Sequence, residues 1–293
     1  MSLRFRWLQL DVFSDQLFAG NPLAVVVDAA ALDATQMQRI ARWTNLSETA
    51  FLLPPTQAAA DYRVRIFTPR QELPFAGHPS VGSAYAALEA GLVDPGKSEL
   101  IQECAAGLLP VRVIGSGPAR IIHVQAPPAR VRAADAPLAR ALAAALGVEL
   151  AADAACHVHN GPHWILCDLQ QAALVRKLQP DMDAVAALCR QQQAVGVSVF
   201  GHQADKAAAM AVRAFCPADG IPEDPVTGSA NAAIMAWLVA RADQSGYGAS
   251  YCASQGREVG RDGLVQVRHD QATGAISIGG HCAMGVRGQL QID

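Results

Sequence analysis

The sequence predicts an α+β fold of two similar lobes related by pseudo-twofold symmetry, each a curved, mostly antiparallel sheet wrapped around a central apolar helix. Three observations on the 293-residue chain lead there. A polar signature occurs twice, about half the chain apart: Phe67-Thr68-Pro69 with Glu72-Leu73-Pro74-Phe75-Ala76-Gly77-His78, then Phe215-Cys216-Pro217 with Glu223-Asp224-Pro225-Val226-Thr227-Gly228-Ser229. The second copy carries a three-residue insertion, and each copy follows an Arg-x-Phe step, at Arg65 and Arg213. Each also opens into an apolar segment with a single charge, Glu89 in residues 80–93 and Arg241 in residues 229–242. A helix that is apolar on every side must be surrounded by protein. In a chain this rich in strands, a curved sheet is the simplest wrapper.

The elements follow in order. Residues 7–13 and 23–27 read as strands joined by the turn Ala19-Gly20-Asn21-Pro22. Asp33 is placed to cap a helix ending near Thr44, with Met37, Ile40 and Ala41 on one face. A strand over 49–53 stops at Pro54-Pro55, and a strand over 62–67 alternates Tyr, Val and Ile with Arg63 and Arg65. Strands at 99–104 and 109–114 lead to Gly115-Ser116-Gly117-Pro118, the expected boundary between a first lobe, 1–117, and a second, 118–293. The C-terminal strand is free to cross back to the first lobe. The second half offers a strand at 121–125 and an Ala-rich helix at 135–146 stopped by Gly147. Strands at 164–167, 197–200 and 208–215 precede the second signature, and strands at 264–268, 275–278 and 283–292 close the chain.

Composition narrows the class. Hydrophobic residues make up 51%, charged residues 17%, and the net charge is −3. That balance fits a compact enzyme and excludes a disordered chain or a nucleic-acid binder with its basic stripe. No stretch reaches the roughly 18 to 20 apolar residues of a membrane span. Asp11 and Asp15 interrupt any signal-peptide core behind Arg4 and Arg6, and seven irregularly spaced cysteines do not form a disulfide framework. A cytoplasmic protein with reduced thiols is expected.

The signatures carry the candidate chemistry. Gly77 and Gly228 sit at the two helix starts, where a backbone without Cβ can approach a ligand and first-turn N–H groups suit a carboxylate. If the lobes pair about a pseudo-twofold axis, His78 and Ser229 occupy equivalent places at one cavity, with Asp224 beside Ser229. Taken singly, either motif could merely cap a helix. Matched positions with an acid preceding each favour a functional site. Glu48, in Asn45-Leu46-Ser47-Glu48-Thr49-Ala50-Phe51, begins an apolar strand and shares a face with Ala50 and Leu52. Partial desolvation there would raise its pKa and suit it to proton abstraction and return. In isolation it also reads as an ordinary solvated glutamate.

Other groups are weaker. Cys156-His157-Val158-His159-Asn160-Gly161-Pro162-His163 is expected not to hold a metal, on the reading that the side chains of His157 and His159 diverge and no second Cys/His pair has zinc spacing. Gly115-Ser116-Gly117 lacks the context of a dinucleotide site, and no nucleophile elbow is present.

Asp11-Val12-Phe13 with Gly20-Asn21-Pro22, Asn45-Leu46-Ser47-Glu48-Thr49, the Gly77-His78-Pro79 block and Asp224-Pro225-Val226-Thr227-Gly228-Ser229-Ala230 together resemble the phenazine-biosynthesis PhzF-like family. Gln255-Gly256, Gly260-Arg261 and Gly279-Gly280 with Ala283 fit as well, so the resemblance spans nearly the whole chain. It implies a diaminopimelate-epimerase-like fold with the site in the cleft between the lobes. It implies an isomerase that moves a proton on a small carboxylate-bearing metabolite without metal or organic cofactor. Glu48 matches the family's acid/base glutamate, and His78, Asp224 and Ser229 match its other cleft residues. Gly77, Gly228 and Ser229 would hold the substrate carboxylate, with Asn21, Asn160 and Gly161 lining the cleft. A homodimer is also implied. Racemases of the same fold use two cysteines at the places held here by Ala76 and Thr227, so a two-thiol mechanism is not expected. A non-catalytic carboxylate-binding protein, or another lyase or isomerase reaction on the same residues, stays open.

Overall fold

The computed structural model describes residues 2–151, 153–203, 207–242 and 247–292. The chain forms two compact units, Met1–Gln125 with Gly279–Asp293, and Ala126–Ile278.

The first unit runs β1 (Leu3–Val12), β2 (Asn21–Val27), α1 (Ala34–Thr44), β3 (Thr49–Leu53), β4 (Tyr62–Phe67), β5 (Glu72–Leu73), α2 (Gly77–Glu89), β6 (Glu99–Cys104), β7 (Gly107–Ile114) and β8 (Ile121–Gln125). Asp33 starts α1 through a full capping box, accepting from the Gln36 amide at 2.8 Å while the Gln36 side chain accepts from the Asp33 amide. Asn45 ends the helix in the left-handed conformation that asparagine tolerates well. The chain's last strand, Cys282–Ile292, lies antiparallel along the full length of β1. The turn at Gly115–Pro118 joins β7 to β8, which pair antiparallel within this unit.

The second unit runs β9 (Arg130–Ala133), α3 (Ala136–Leu146), β10 (Ala155–His159), β11 (His163–Gln171), α4 (Ala172–Lys177), α5 (Met182–Gln192), β12 (Gly196–His202), β13 (Met210–Cys216), β14 (Ile221–Asp224), α6 (Gly228–Ala240), β15 (Ser250–Gln255) and β16 (Gly263–His269). β17 (Ile276–Gly280) follows.

Pairing order shows the duplication. In the first unit β1–β2 is antiparallel, β2–β3 parallel, β3–β4 and β4–β5 antiparallel, β4–β6 parallel and β6–β7 antiparallel. In the second, β10–β11, β11–β12, β12–β13, β13–β14, β13–β15 and β15–β16 repeat the same sequence of directions. Each parallel step spans a helical crossover, as parallel pairing requires. The central helices are α2, buried from Gly77 to Leu88 against β1, β2, β3, β4 and β8, and α6, buried from Gly228 to Leu238 against β9, β10, β11 and β16. Their lack of a polar face is explained by this enclosure. Ile234, Met235, Trp237 and Leu238 on α6 each contribute about 1.5 to 3 kcal/mol of burial.

The duplicated Arg-x-Phe and Glu-x-Pro steps are one structural device. The Arg65 guanidinium donates twice to Glu72, at 2.7 Å each, and lies 5.2 Å from the Phe67 ring centroid. Arg213 donates to Glu223 at 2.9 and 2.7 Å and lies 4.9 Å from the Phe215 ring centroid. These forks fasten β4 to β5 and β13 to β14. This corrects the sequence argument that an acid preceding each signature speaks for a site: the matched acids, Glu72 and Glu223, are neutralised structurally.

Among the described residues no helix is long and apolar enough to cross a membrane. All seven cysteines are free.

Candidate active site

In the first unit the acid/base candidates meet at the start of α2. Glu48 closes the α1–β3 connection, which the Asn45 cap turns and which Thr44 Oγ1 and Thr49 Oγ1 clasp at 2.8 Å. Its carboxylate is 16% exposed, and Oε2 stands 3.4 Å from Nδ1 of His78, whose side chain is 4% exposed. Burial pushes the His78 imidazole down to about 3, so the contact joins a carboxylate to a neutral ring rather than an ion pair. His78 Nε2 is buried and has no hydrogen-bond partner among the described residues. Gly77 and His78 are the first two residues of α2, and Ala76 occupies the N-cap without a side-chain cap. Asn21 is fully buried at the first residue of β2, opposite Val12.

The second unit assembles the remaining candidates around the start of α6. Thr227 is the N-cap, Gly228 the first helical residue and Ser229 the second. The Thr227 hydroxyl donates to Asp224 Oδ2 at 2.5 Å and accepts from Gln255 Nε2 at 2.8 Å. The Thr227 amide donates to Gln255 Oε1 at 3.0 Å, an acceptor that Asn231 Nδ2 also reaches at 3.1 Å. Gln255 Nε2 further donates to the Asp224 carbonyl at 3.0 Å. The fully buried Gln255 thus fixes Asp224 and Thr227 together. Ser229 Oγ accepts from the Trp164 indole at 3.1 Å, and the Ser229 carbonyl accepts from Asn160 Nδ2 at 2.8 Å. Because an indole only donates, the Ser229 hydroxyl hydrogen stays available for another acceptor. Asn160 Oδ1 is buried without a hydrogen-bond partner among the described residues. Gly161 turns the β10–β11 hairpin at φ 101°, a conformation glycine takes without strain.

The structure therefore brings Glu48 together with His78 in the first unit; in the second it ties Asp224 to Thr227 at the start of α6 and Asn160 directly to the Ser229 carbonyl. Sequence reasoning does not reach Gln255, Asn231 or Trp164 as positioning residues. Gln255 had one visible signal, its place in a Gln-Gly motif.

The histidine segment needs a correction. His157 and His159 do not diverge: residues two apart on a strand share a face. His163 lies opposite His159 on β11 and touches both. The His159 and His163 rings stack at 3.8 Å, and His157 Nδ1 lies 2.9 Å from His163 Nε2. The Gln193 carbonyl, 3.1 Å from His163 Nδ1, assigns that nitrogen the proton, so His163 Nε2 accepts from His157. Burial, with Arg132 and His163 nearby, pushes His157 down to about 4. Among the described residues no group of three or more His, Cys, Asp or Glu side chains is placed to hold a metal ion.

Comparison with known proteins now adds to this geometry. Residues 10–288 match the family described as PhzC-PhzF, phenazine biosynthesis-like protein. The chain is 35% identical over 290 residues to trans-2,3-dihydro-3-hydroxyanthranilate isomerase of Pseudomonas aeruginosa, covering 98% of this chain and 99% of that protein. It is 34% identical over 289 residues to antisense-enhancing sequence 1 of Schizosaccharomyces pombe, covering 96% and 97%. Among solved structures, a PhzF-family phenazine biosynthesis protein of Bacillus anthracis superposes with a TM-score of 0.81 at 24% identity, covering 99% of this chain and 100% of that one. That likeness speaks to the fold.

Proposed function

This chain belongs to the phenazine biosynthesis-like (PhzC-PhzF) family, and from that premise we propose that it is a cofactor-independent isomerase moving a proton on a small carboxylate-bearing metabolite. The observation that carries the reading is the partly buried Glu48 carboxylate 3.4 Å from the buried, neutral His78 ring. Glu48 is the group that takes and returns the proton. The neutral imidazole beside it sets no positive charge against the carboxylate. The buried Nε2 of His78 offers a hydrogen bond to a polar substituent.

Carboxylate binding is assigned to helix starts, to the first-turn amides of α2 within the first unit and to the Ser229 hydroxyl with the first-turn amides of α6 within the second, a role suited to uncapped N–H groups at the positive end of a helix. Asp224, held by Thr227, is the polar group of the second unit beside Ser229. A two-thiol racemase mechanism is excluded in this reading: Ala76 has no ionisable group, and the Thr227 hydroxyl is already engaged as donor and acceptor. The name of the Pseudomonas relative supports isomerisation as the reaction class. A cytoplasmic setting belongs to the same proposal.

The test is incubation with a panel of small carboxylates in D₂O, following deuterium incorporation by mass spectrometry for the wild type and Glu48→Gln. Exchange in the wild type that falls by about 10² to 10⁴ in the variant, with ligand affinity retained, is the expected result. Binding without exchange by the wild type on every compound would replace the isomerase with a carboxylate-binding protein.

A further inference from the structure

A second chemically distinctive face lies on the second unit. Cross-strand register sets Arg130 opposite His159 and Arg132 opposite His157, and β10 in turn sets His159 opposite His163. Directly opposed residues on antiparallel strands share a face, as do residues two apart on one strand. Arg130, Arg132, His157, His159 and His163 therefore stand on one side of the β9–β10–β11 ribbon.

A pocket of about 520 Å³ opens here, lined by Pro128, Arg130, Val131, Arg132, His159 and Gly161. Both arginines are exposed, and neither makes a hydrogen bond or ion pair with any described residue. In this they differ from Arg65, Arg120, Arg176, Arg213 and Arg241, each tied to a carboxylate within 3.2 Å. The carboxylate nearest in sequence, Asp135, caps α3 by accepting from the Leu138 amide at 2.8 Å. Two guanidinia two residues apart on a strand are separated by about 6.6 Å at Cα, within reach of a common tetrahedral anion. His159 is held over the same pocket by its stack on His163, whose ring is anchored to the Gln193 carbonyl. Two guanidinium charges are thus gathered at a concave site, with Asp135, near enough to act on His157, as the neighbouring carboxylate.

We propose that Arg130, Arg132 and His159 form a binding site for a phosphomonoester dianion. Two guanidinium forks match its charge of two and its equatorial oxygens, and the imidazole supplies a third contact. The site is independent of the isomerase reading, because it is read out by binding alone. Its place next to Asn160, which holds the Ser229 carbonyl, puts the bound anion one residue from a group that positions the start of α6.

The experiment is isothermal titration of the full chain with inorganic phosphate, glycerol phosphate and succinate at fixed ionic strength. Wild type is compared with Arg130→Gln/Arg132→Gln and with His159→Gln. Both arginines are exposed and unbonded, so the double variant should keep its fold, checked by circular dichroism. Saturable binding of phosphate or glycerol phosphate, weakened on the order of tenfold or more in the double variant, supports the site. Tighter binding of the ester than of free phosphate assigns the pocket to a phosphorylated molecule; equal binding assigns it to the free anion. Absence of saturable binding, equal binding by the double variant, or succinate binding as tightly as phosphate overturns the proposal.

Discussion

The duplicated Arg–Glu fork offers an internally controlled test, because one device sits in two environments. Arg213 and Glu223 are 7% and 6% exposed, whereas Arg65 and Glu72 are 27% and 36% exposed. Glu223→Gln leaves a buried guanidinium without its carboxylate. Removing one partner of a buried pair costs about 3 to 5 kcal/mol. The Arg213 fork keeps the carbonyls of Leu178 at 2.7 Å and Val175 at 3.3 Å, and Glu258 stands 4.0 Å away, so the low end, about 3 kcal/mol, is expected. Glu72→Gln removes a half-exposed partner from a screened pair and should cost about 1 kcal/mol or less. The assay is urea unfolding followed by tryptophan fluorescence, with Trp164 and Trp237 as the buried reporters of the second unit and hydrogen exchange reporting the first. At the slopes usual for urea, about 1 to 3 kcal/mol per molar, Glu223→Gln should lower the midpoint by about 1 M or more. Raising salt should shrink the Glu72→Gln effect and leave the other intact. Equal costs for the two substitutions, or a larger cost at Glu72, would refute the argument that burial sets the difference.

Two further outcomes follow from the geometry. His78 is held down to about 3 by burial, so the unfolded chain binds its proton first as pH falls. The His78 contribution to stability should therefore be intact above about pH 6.5 and decline below it by at most ~1.4 kcal/mol per unit, until the folded value near 3 is passed. Thermal melts from pH 7 to pH 5 should show a shallower decline for His78→Asn, with His157 and His163, both also held down by burial, supplying what remains; identical slopes would contradict the assignment. In Gly196→Ala the new methyl would meet the Phe215 carbonyl at 2.5 Å, Cys216 Sγ at 2.7 Å and Trp164 Cζ3 at 2.7 Å. A loss of about 1 to 3 kcal/mol is expected, with a fluorescence shift as Trp164 moves from Ser229, and an unperturbed spectrum would count against it.

Much of this fold was legible because local signals and burial agree. The strands Thr49–Leu53, Tyr62–Phe67 and Ile121–Gln125 are bounded by turn chemistry and carry β-branched or aromatic side chains, and their limits read directly from the sequence. The α5 helix, Met182–Gln192, was not read from the sequence, although the Asp181 cap, accepting from the Ala184 amide, and Asp183 in the first turn mark its start and Val185, Ala186, Leu188 and Cys189 form its buried face. β15 reads Ser-Tyr-Cys-Ala-Ser-Gln, a composition suited to a loop, yet its inner residues are buried beside β13. Gln255 escaped for the same reason. A glutamine that satisfies four groups in a sealed core has the same letter as one in water, and only the partners distinguish them. Glu48 and His78 are apart in sequence and met only because β3 and the start of α2 come together, which the repeated signature hinted at but could not measure.

Superposed by register, the two units share a scaffold and differ in chemistry. Thr49 pairs with Phe67 in the first unit and Val197 with Phe215 in the second, so the place corresponding to Glu48 is Gly196. No side chain fits there, because the Trp164 ring fills the space and sends its indole N–H to Ser229. The place of His78 at the helix start is taken by Ser229, and Asp224 stands where the first unit has Leu73. The residues common to both copies, Arg, Phe, Glu, Pro and Gly, are those that shape the strand, the turn and the helix start. The residues that differ are those able to move a proton or donate to an anion. A duplicated scaffold with unlike helix starts gives one unit a carboxylate against an imidazole and the other a serine hydroxyl. At the place of Glu48 itself the second unit has no side chain, and its carboxylate enters instead from β14, as Asp224 held by the Thr227 hydroxyl.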